Sequence, residues 1–345
     1  MRSMMDSNIV SQTTQIKGPK PRECGCKGIR SCRLCELSDD DRFENSFSTN
    51  KNNTRKTYQY CRHCKRAWQA GSNSQQGVSH KISNDTKEES FSGAEMETVT
   101  KNATNTEAHN SVFLTQNPHI ENKSVTELCS HNSSLSVIDF HGITIIEDFI
   151  SEEEEQYLDK IIGETAFTKS QSGRRKQDFG PKVNFKRQKV KVASFSGLPA
   201  YSSFLYERIK TLPSLNNFKP VELCNLEYSN ERGAHIDPHF DDSWLWGERL
   251  VTLNLMSDST LTFTIDSEPQ TEVRVPLLRR SLIIVAADAR YKWKHSIKEA
   301  DILDKRIAMT FRELSEEFSP GGQREKEGDD LLKLALTFQG CAIVH

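Results

Sequence analysis

Residues 237–241 read Asp237-Pro238-His239-Phe240-Asp241, and residues 306–312 read Arg306-Ile307-Ala308-Met309-Thr310-Phe311-Arg312. In the first stretch a histidine and a carboxylate stand two residues apart. On an extended segment such a pair projects from one side, because side chains alternate with period two. One more histidine completes a set of two histidines and a carboxylate, which suits non-haem iron(II) and leaves coordination positions open for small reactants. Trp293-Lys294-His295 supplies it, after the apolar run Ser281–Ala286. The spacing occurs twice, since His235-Ile236-Asp237 fits it as well, so spacing alone does not choose between the two pairs. In the second stretch Arg306, Ala308, Thr310 and Arg312 fall on one face of a strand. Two arginines on an otherwise small or apolar inward face are costly unless an anion meets them. A dicarboxylate gripped by forked guanidinium groups meets that need.

The surrounding pattern predicts the fold. Gly142–Phe149 reads as a strand, and Ser151 then caps a helix with Glu154 completing a capping box. A second helix fits Tyr201–Lys210, between Pro199 and Pro213. Short strands follow at Val221–Tyr228, Leu250–Met256, Thr260–Ile265, Glu272–Pro276, Ser281–Ala286 and Arg306–Phe311, and a helix at Asp329–Thr337 closes the chain. Strands separated by polar turns, after two helices, predict an α+β, mainly β architecture: a jelly roll with helices packed outside.

Towards the N-terminus the character changes. Six of the nine cysteines lie between Cys24 and Cys64, within a cysteine-rich module assigned to residues 23–70. Residues 1–22 are polar and read as disordered. The stretch from Gly71 to Ser134 carries 26 Ser, Thr or Asn among 64 residues, with Phe91 and Phe113 as its only aromatics. It cannot bury enough apolar surface to offset its conformational entropy, so residues 71–136 read as a disordered linker ahead of a catalytic domain at 137–345. Cys24, Cys26, Cys32, Cys35, Cys61 and Cys64 are candidate zinc ligands, either as the first four alone or as two of those with the last pair. Redox-active or free thiols are the competing reading. Cys129, Cys224 and Cys341 give no signal by themselves.

Composition bounds the rest. With 46 basic and 48 acidic residues the net charge is −2, which points to no particular partner. No run of eighteen apolar residues exists to form a membrane-spanning helix, and the N-terminus lacks the apolar core of a secretory signal. Near-zero net charge hides one local excess. Between Lys169 and Val192 nine Lys or Arg, including Arg174, Arg175, Lys176 and Lys182, face a single acidic residue, Asp178. Such a segment can meet phosphates, an acidic protein surface, or only water.

The histidine–aspartate pair, the late histidine and the Arg-x-x-x-Thr-Phe-Arg strand together resemble the AlkB branch of Fe(II)/2-oxoglutarate dioxygenases. Longer stretches sharpen the likeness. Gln171–Phe185, Asp237–Asp242, Trp244–Arg249, Thr310–Leu314 and Glu23–Arg30 are similar to the fourth animal homologue within that family. The resemblance implies a double-stranded β-helix core, with His239, Asp241 and His295 as iron ligands and Arg306 gripping the distal carboxylate of 2-oxoglutarate. It places Arg312 beside cosubstrate or substrate, and Tyr228 and Asn225 at the cosubstrate. It relegates His235 and Asp237, because the family's pair directly precedes the Trp-rich segment. Two departures stand out: Asn225 and Tyr228 are one residue further apart than the family's pair, and Ala308 replaces an asparagine. The basic segment becomes a substrate lid.

The implied reaction is oxidative N-demethylation coupled to conversion of 2-oxoglutarate to succinate and carbon dioxide, with release of formaldehyde. Methyl-lysine on actin, within actomyosin, and N6-methyladenine in DNA are the implied substrates, and cytoplasm and nucleus the implied locations. A non-catalytic scaffold binding actomyosin or chromatin through the cysteine module is the alternative from another class.

Overall fold

A computed structural model describes residues 55–70, 129, 131 and 134–343. Two seven-stranded sheets carry the architecture. The first runs, edge to edge, β10 (Ile236–His239), β15 (Lys294–Ile297), β12 (Ser259–Ile265), β13 (Glu268–Leu277), β1 (Lys56–Cys61), β2 (Arg66–Gln69) and β3 (Val137–Asp139). The second runs β4 (Ile143–Ile146), β14 (Leu282–Val285), β11 (Trp246–Leu255), β16 (Arg306–Leu314), β9 (Pro220–Tyr228), β6 (Arg175–Phe179) and β5 (Thr168–Lys169). A small hairpin, β7 (Lys182–Asn184) with β8 (Lys189–Lys191), stands apart. The helices are α1 (Glu152–Gly163), α2 (Ser203–Lys210), α3 (Ala287–Tyr291) and α4 (Glu325–Ala335). No described helix is long and apolar enough to cross a membrane.

Inward residues of both sheets join one hydrophobic core, with Phe263, Val273 and Val275 from the first and Leu223, Leu253 and Phe311 from the second. This is a jelly roll, mainly β, with helices at its margins. The predicted capping box is present: Ser151 Oγ accepts from the Glu154 amide at 3.2 Å, and Glu154 returns the bond to the Ser151 amide at 2.9 Å. Buried Glu155 in the same turn accepts from the Met256 amide at 2.8 Å and from Arg279 Nε at 2.7 Å, tying α1 to the end of β11.

The described end of the expected cysteine-rich module, residues 55–70, joins the first sheet. Lys56–Gln69 is a hairpin whose first strand pairs in parallel with β13, so it extends the first sheet. An unpaired β13 edge would expose a row of backbone donors and acceptors, and the hairpin covers it. Tyr58 and Tyr60 bury their rings in the common core, and the Tyr60 hydroxyl donates to the Ile143 carbonyl at 3.1 Å. The Gln69 amide donates to the Ser136 carbonyl, and β3, which begins at Val137, pairs with β2. Cys24, Cys26, Cys32, Cys35, the N-terminal stretch 1–22 and most of the linker lie outside the described residues.

Candidate active site

The cluster forms where β10 and β15 run antiparallel at the edge of the first sheet. His239 and His295 are register partners across that pair, which sets their rings 4.3 Å apart. Asp241 sits just past the end of β10, and its Oδ2 lies 3.8 Å from His295 Nε2. The three donor atoms fall within 4.8 Å of one another. Neither His235 nor Asp237 joins them. His235 is buried with Nδ1 2.8 Å from the Gly233 carbonyl, and Asp237 is exposed. The carbonyl of Asp237 does contribute: it accepts a hydrogen bond from His239 Nδ1–H at 2.8 Å, which leaves Nε2 unprotonated for a metal.

Electrostatics prepare the three groups as ligands. Burial pushes His295 down to about 3, with His239 adding to the effect, so the imidazole is neutral at ordinary pH. Burial also lowers His239. For Asp241 burial pulls upward, but the Arg312 guanidinium, with Arg290 adding to it, outweighs burial and holds the carboxyl well below the usual range. Two neutral imidazoles and one ionised carboxylate, with His295 Nδ1 buried and unpartnered, fit an iron(II) ion.

Beside the cluster a pocket opens between the sheets, lined by Tyr228, Leu261, Thr252, Thr310 and Arg306 among others. Arg306 is 2% exposed. Its Nε donates to Asn254 Oδ1 at 2.6 Å and its guanidinium lies 4.9 Å from the Tyr228 ring centre. Among the described residues no carboxylate pairs with it, and burial lowers its proton affinity with only Tyr228 opposing. A buried cation left this way calls for an anion from outside the chain.

Arg312 is different. Its Nη1 donates to Glu222 at 2.6 Å and its Nη2 stands 3.3 Å from Asp241 Oδ1, so the chain's own carboxylates already balance its charge. It orients Asp241 and also lines the pocket, so its expected place beside cosubstrate or substrate is compatible with that role.

The Asn225–Tyr228 ambiguity resolves by strand alternation. Tyr228 and Leu226 face the pocket. Asn225 points to the other face of β9, where its amide donates to Gln177 Oε1 at 2.9 Å and the Tyr201 hydroxyl at 2.8 Å. The odd spacing between the two residues makes opposite facing unavoidable, so Asn225 is withdrawn as a cosubstrate contact. Ala308 does line the pocket.

Two contributors escaped sequence reasoning. Asn254 donates to the carbonyls of Ser257, Leu277 and Leu278, which fixes its oxygen towards Arg306. A polar residue inside the apolar run Leu250–Met256 was the available signal. Arg290, 1% exposed, donates to the Asp241 carbonyl at 2.9 Å and secures the loop after β10.

The basic lid separates into two parts. Ser172 and Gly173, both with positive φ, turn the chain so that Arg174 is buried with its Nε on the Gln171 carbonyl, close enough for its charge to lower His239. A Cβ on Gly173 would stand 2.3 Å from the Arg232 carbonyl oxygen, so that turn requires glycine. Arg175 faces Glu227 at 3.9 Å and Lys176 pairs with Asp178. Besides Lys169 and Arg175, the exposed cations are Lys182, Lys186, Arg187, Lys189 and Lys191, on and around the β7–β8 hairpin. Phe179 and Phe195 are core residues, whereas Phe185 on that hairpin is exposed.

A scan against protein-family models finds no match. Among curated proteins, the chain is 36% identical to the human alpha-ketoglutarate-dependent dioxygenase alkB homolog 4, over 92% of this chain and 95% of that one. The chain belongs to the AlkB family. The mouse alkB homolog 4 is 43% identical over 58% of this chain and 77% of its own length. A Caenorhabditis elegans protein named DNA N6-methyl adenine demethylase is 40% identical over 60% of this chain and 72% of its own. This AlkB protein is therefore a 2-oxoglutarate-dependent dioxygenase of the demethylase type. Iron(II), when bound by His239, Asp241 and His295, supplies the oxidising chemistry at a substrate methyl group. The chain's own contribution is positional: Asn254 braces Arg306 in the pocket, where its buried guanidinium would suit a carboxylate of 2-oxoglutarate, Arg312 and Arg290 hold Asp241 in place, and apolar walls such as Leu261 and Ile283 limit water.

Proposed function

We propose that the chain removes N-methyl groups from lysine side chains of a protein such as actin, within actomyosin, and acts in the cytoplasm and nucleus. The observation that carries the demethylase chemistry is the buried, anion-free Arg306 in the pocket that also contains His239, Asp241 and His295. The protein substrate follows from the resemblance to the fourth animal homologue, and the human relative of that name matches along almost the whole chain. N6-methyladenine in DNA is the second reading. It is favoured by the name of the worm relative and by the exposed cations of the β7–β8 hairpin, which suit a phosphate backbone.

Formaldehyde release measured side by side on methyl-lysine peptides, methylated actin and N6-methyladenine oligonucleotides tests the choice, with the His239→Ala protein as blank. Release from actin or its peptides at the higher kcat/KM is the expected result. Faster turnover of oligonucleotides would transfer the assignment to DNA, and turnover of neither would overturn both readings.

A further inference from the structure

A second set of metal-binding side chains lies at the opposite edge of the first sheet. The β1–β2 hairpin turns through Arg62-His63-Cys64-Lys65, with the Lys65 amide donating to the Cys61 carbonyl at 2.8 Å and Lys65 in the left-handed region. That turn presents Cys61 and Cys64 together. Facing them are Cys129 and His131, just upstream of β3. Cys61 Sγ lies 3.6 Å from Cys129 Sγ, and Cys64 Sγ lies 3.6 Å from His131 Nε2. All four donor atoms are within 4.8 Å of one another.

Those separations are informative. Sulfurs 3.6 Å apart are too distant for a disulfide, whose S–S bond is about 2.05 Å. They match the edge of a tetrahedron: metal–sulfur bonds of about 2.3 Å set sulfurs roughly 3.8 Å apart, and a shorter metal–nitrogen bond brings the sulfur–nitrogen edge to roughly 3.6 Å. We propose that Cys61, Cys64, Cys129 and His131 form a closed zinc(II) site that fastens the chain entering β3 to the β1–β2 hairpin. Three thiolates and an imidazole select a borderline-soft ion, and four protein ligands leave no position for substrate.

The surroundings supply what such ligands need. Trp68 donates its indole N–H to Cys64 Sγ at 3.3 Å, an interaction that steadies a thiolate. The same indole stacks on His131 at 4.5 Å and 14°, which fixes the imidazole plane. The strand held in place is short: β3 pairs with β2 through only Val137, Ile138 and Asp139. Sequence spacing had set Cys129 aside as isolated, because its partners lie on the far side of a long polar segment.

The test is zinc content of the full chain, purified under reductant and loaded with iron(II), read as the difference from wild type. Cys129→Ser and His131→Ala are expected to lose one equivalent each. Cys341→Ser, an exposed thiol elsewhere, loses none, and His131→Cys, which restores a fourth ligand, keeps it. Unchanged zinc in both Cys129→Ser and His131→Ala would overturn the proposal. If those variants do not fold, zinc-edge X-ray absorption on the iron-loaded wild-type protein decides: a shell containing nitrogen as well as sulfur is expected, and a shell of sulfur alone overturns it.

Discussion

The two metal-type clusters of this chain occupy opposite edges of one sheet and are built on opposite principles. His239, Asp241 and His295 offer three hard or borderline donors beside a pocket, with positions left for reactants. Cys61, Cys64, Cys129 and His131 offer four donors, three of them soft, enough to close a tetrahedral shell. The supporting residues differ accordingly. Around the first cluster they are charged and buried: Arg312, Arg290 and Glu222 hold one carboxylate in one orientation. Around the second, the Trp68 indole positions Cys64 and His131. Number and type of ligand thus separate a site that reacts from a site that fastens, and the separation makes predictions.

The sharpest break comes from removing a ligand on each side. Asp241→Ala is expected to abolish succinate formation above background while leaving thiol-bound zinc unchanged. Cys129→Ser is expected to do the reverse. If Asp241→Ala also released the zinc, the two clusters would not be independent.

Next in size is Arg306. Removing one partner of a buried charge pair costs about 3–5 kcal/mol. At about 1.4 kcal/mol per factor of ten, that corresponds to a rise of roughly two to four powers of ten in KM for 2-oxoglutarate. Arg306→Met keeps the length and removes the charge, so its KM in the uncoupled succinate assay measures this directly. Arg306→Lys would recover part of the loss, since a point charge replaces the fork. A KM within twofold of wild type for Arg306→Met would mean that the anion binds elsewhere.

How much of this was legible in sequence follows the same division. Local rules were enough for the capping box at Ser151, most of the strands between Val221 and Phe311, and the ligand pair at His239 and Asp241. Each of these is a short-range pattern of period two or of fixed spacing. What escaped notice depended on chain separation. Asn254 meets Arg306 only because β11 and β16 pair in one register, and Cys129 meets Cys61 only because β3 folds back on β2. The hairpin at Lys56–Gln69 looked like a separate module because cysteine content, a compositional signal, cannot report pairing with β13.

Removal of the zinc site should therefore register as stability. A cross-link that closes a long loop contributes about 2–4 kcal/mol. For a domain of this size each kcal/mol is worth about 2–4 °C, so chelation or Cys129→Ser is expected to lower Tm by roughly 4–16 °C. KM for 2-oxoglutarate in the protein that remains folded should not move. A large KM change without a Tm change would mean that the thiol cluster belongs to catalysis after all.

The smallest effect refines the boundary between the two kinds of residue within a single strand. Tyr228 and Asn225 both belong to β9, but only Tyr228 faces the pocket, and Asn225 is bonded on the other side of the sheet to Gln177 and Tyr201. Asn225→Ala leaves those two buried groups short of a partner, a cost of about 1–3 kcal/mol. Its signature should resemble loss of the zinc site in kind, a lowered Tm with an unaltered KM for 2-oxoglutarate, at a fraction of the size. Tyr228→Ala should raise that KM as well as lower Tm, because the ring it removes is buried in the core and lies against the Arg306 guanidinium. Thermal melts and cosubstrate titrations on this pair of variants test facing by chemistry. An Asn225→Ala protein with normal Tm and a raised KM would return that residue to the site and require β9 to present its other face.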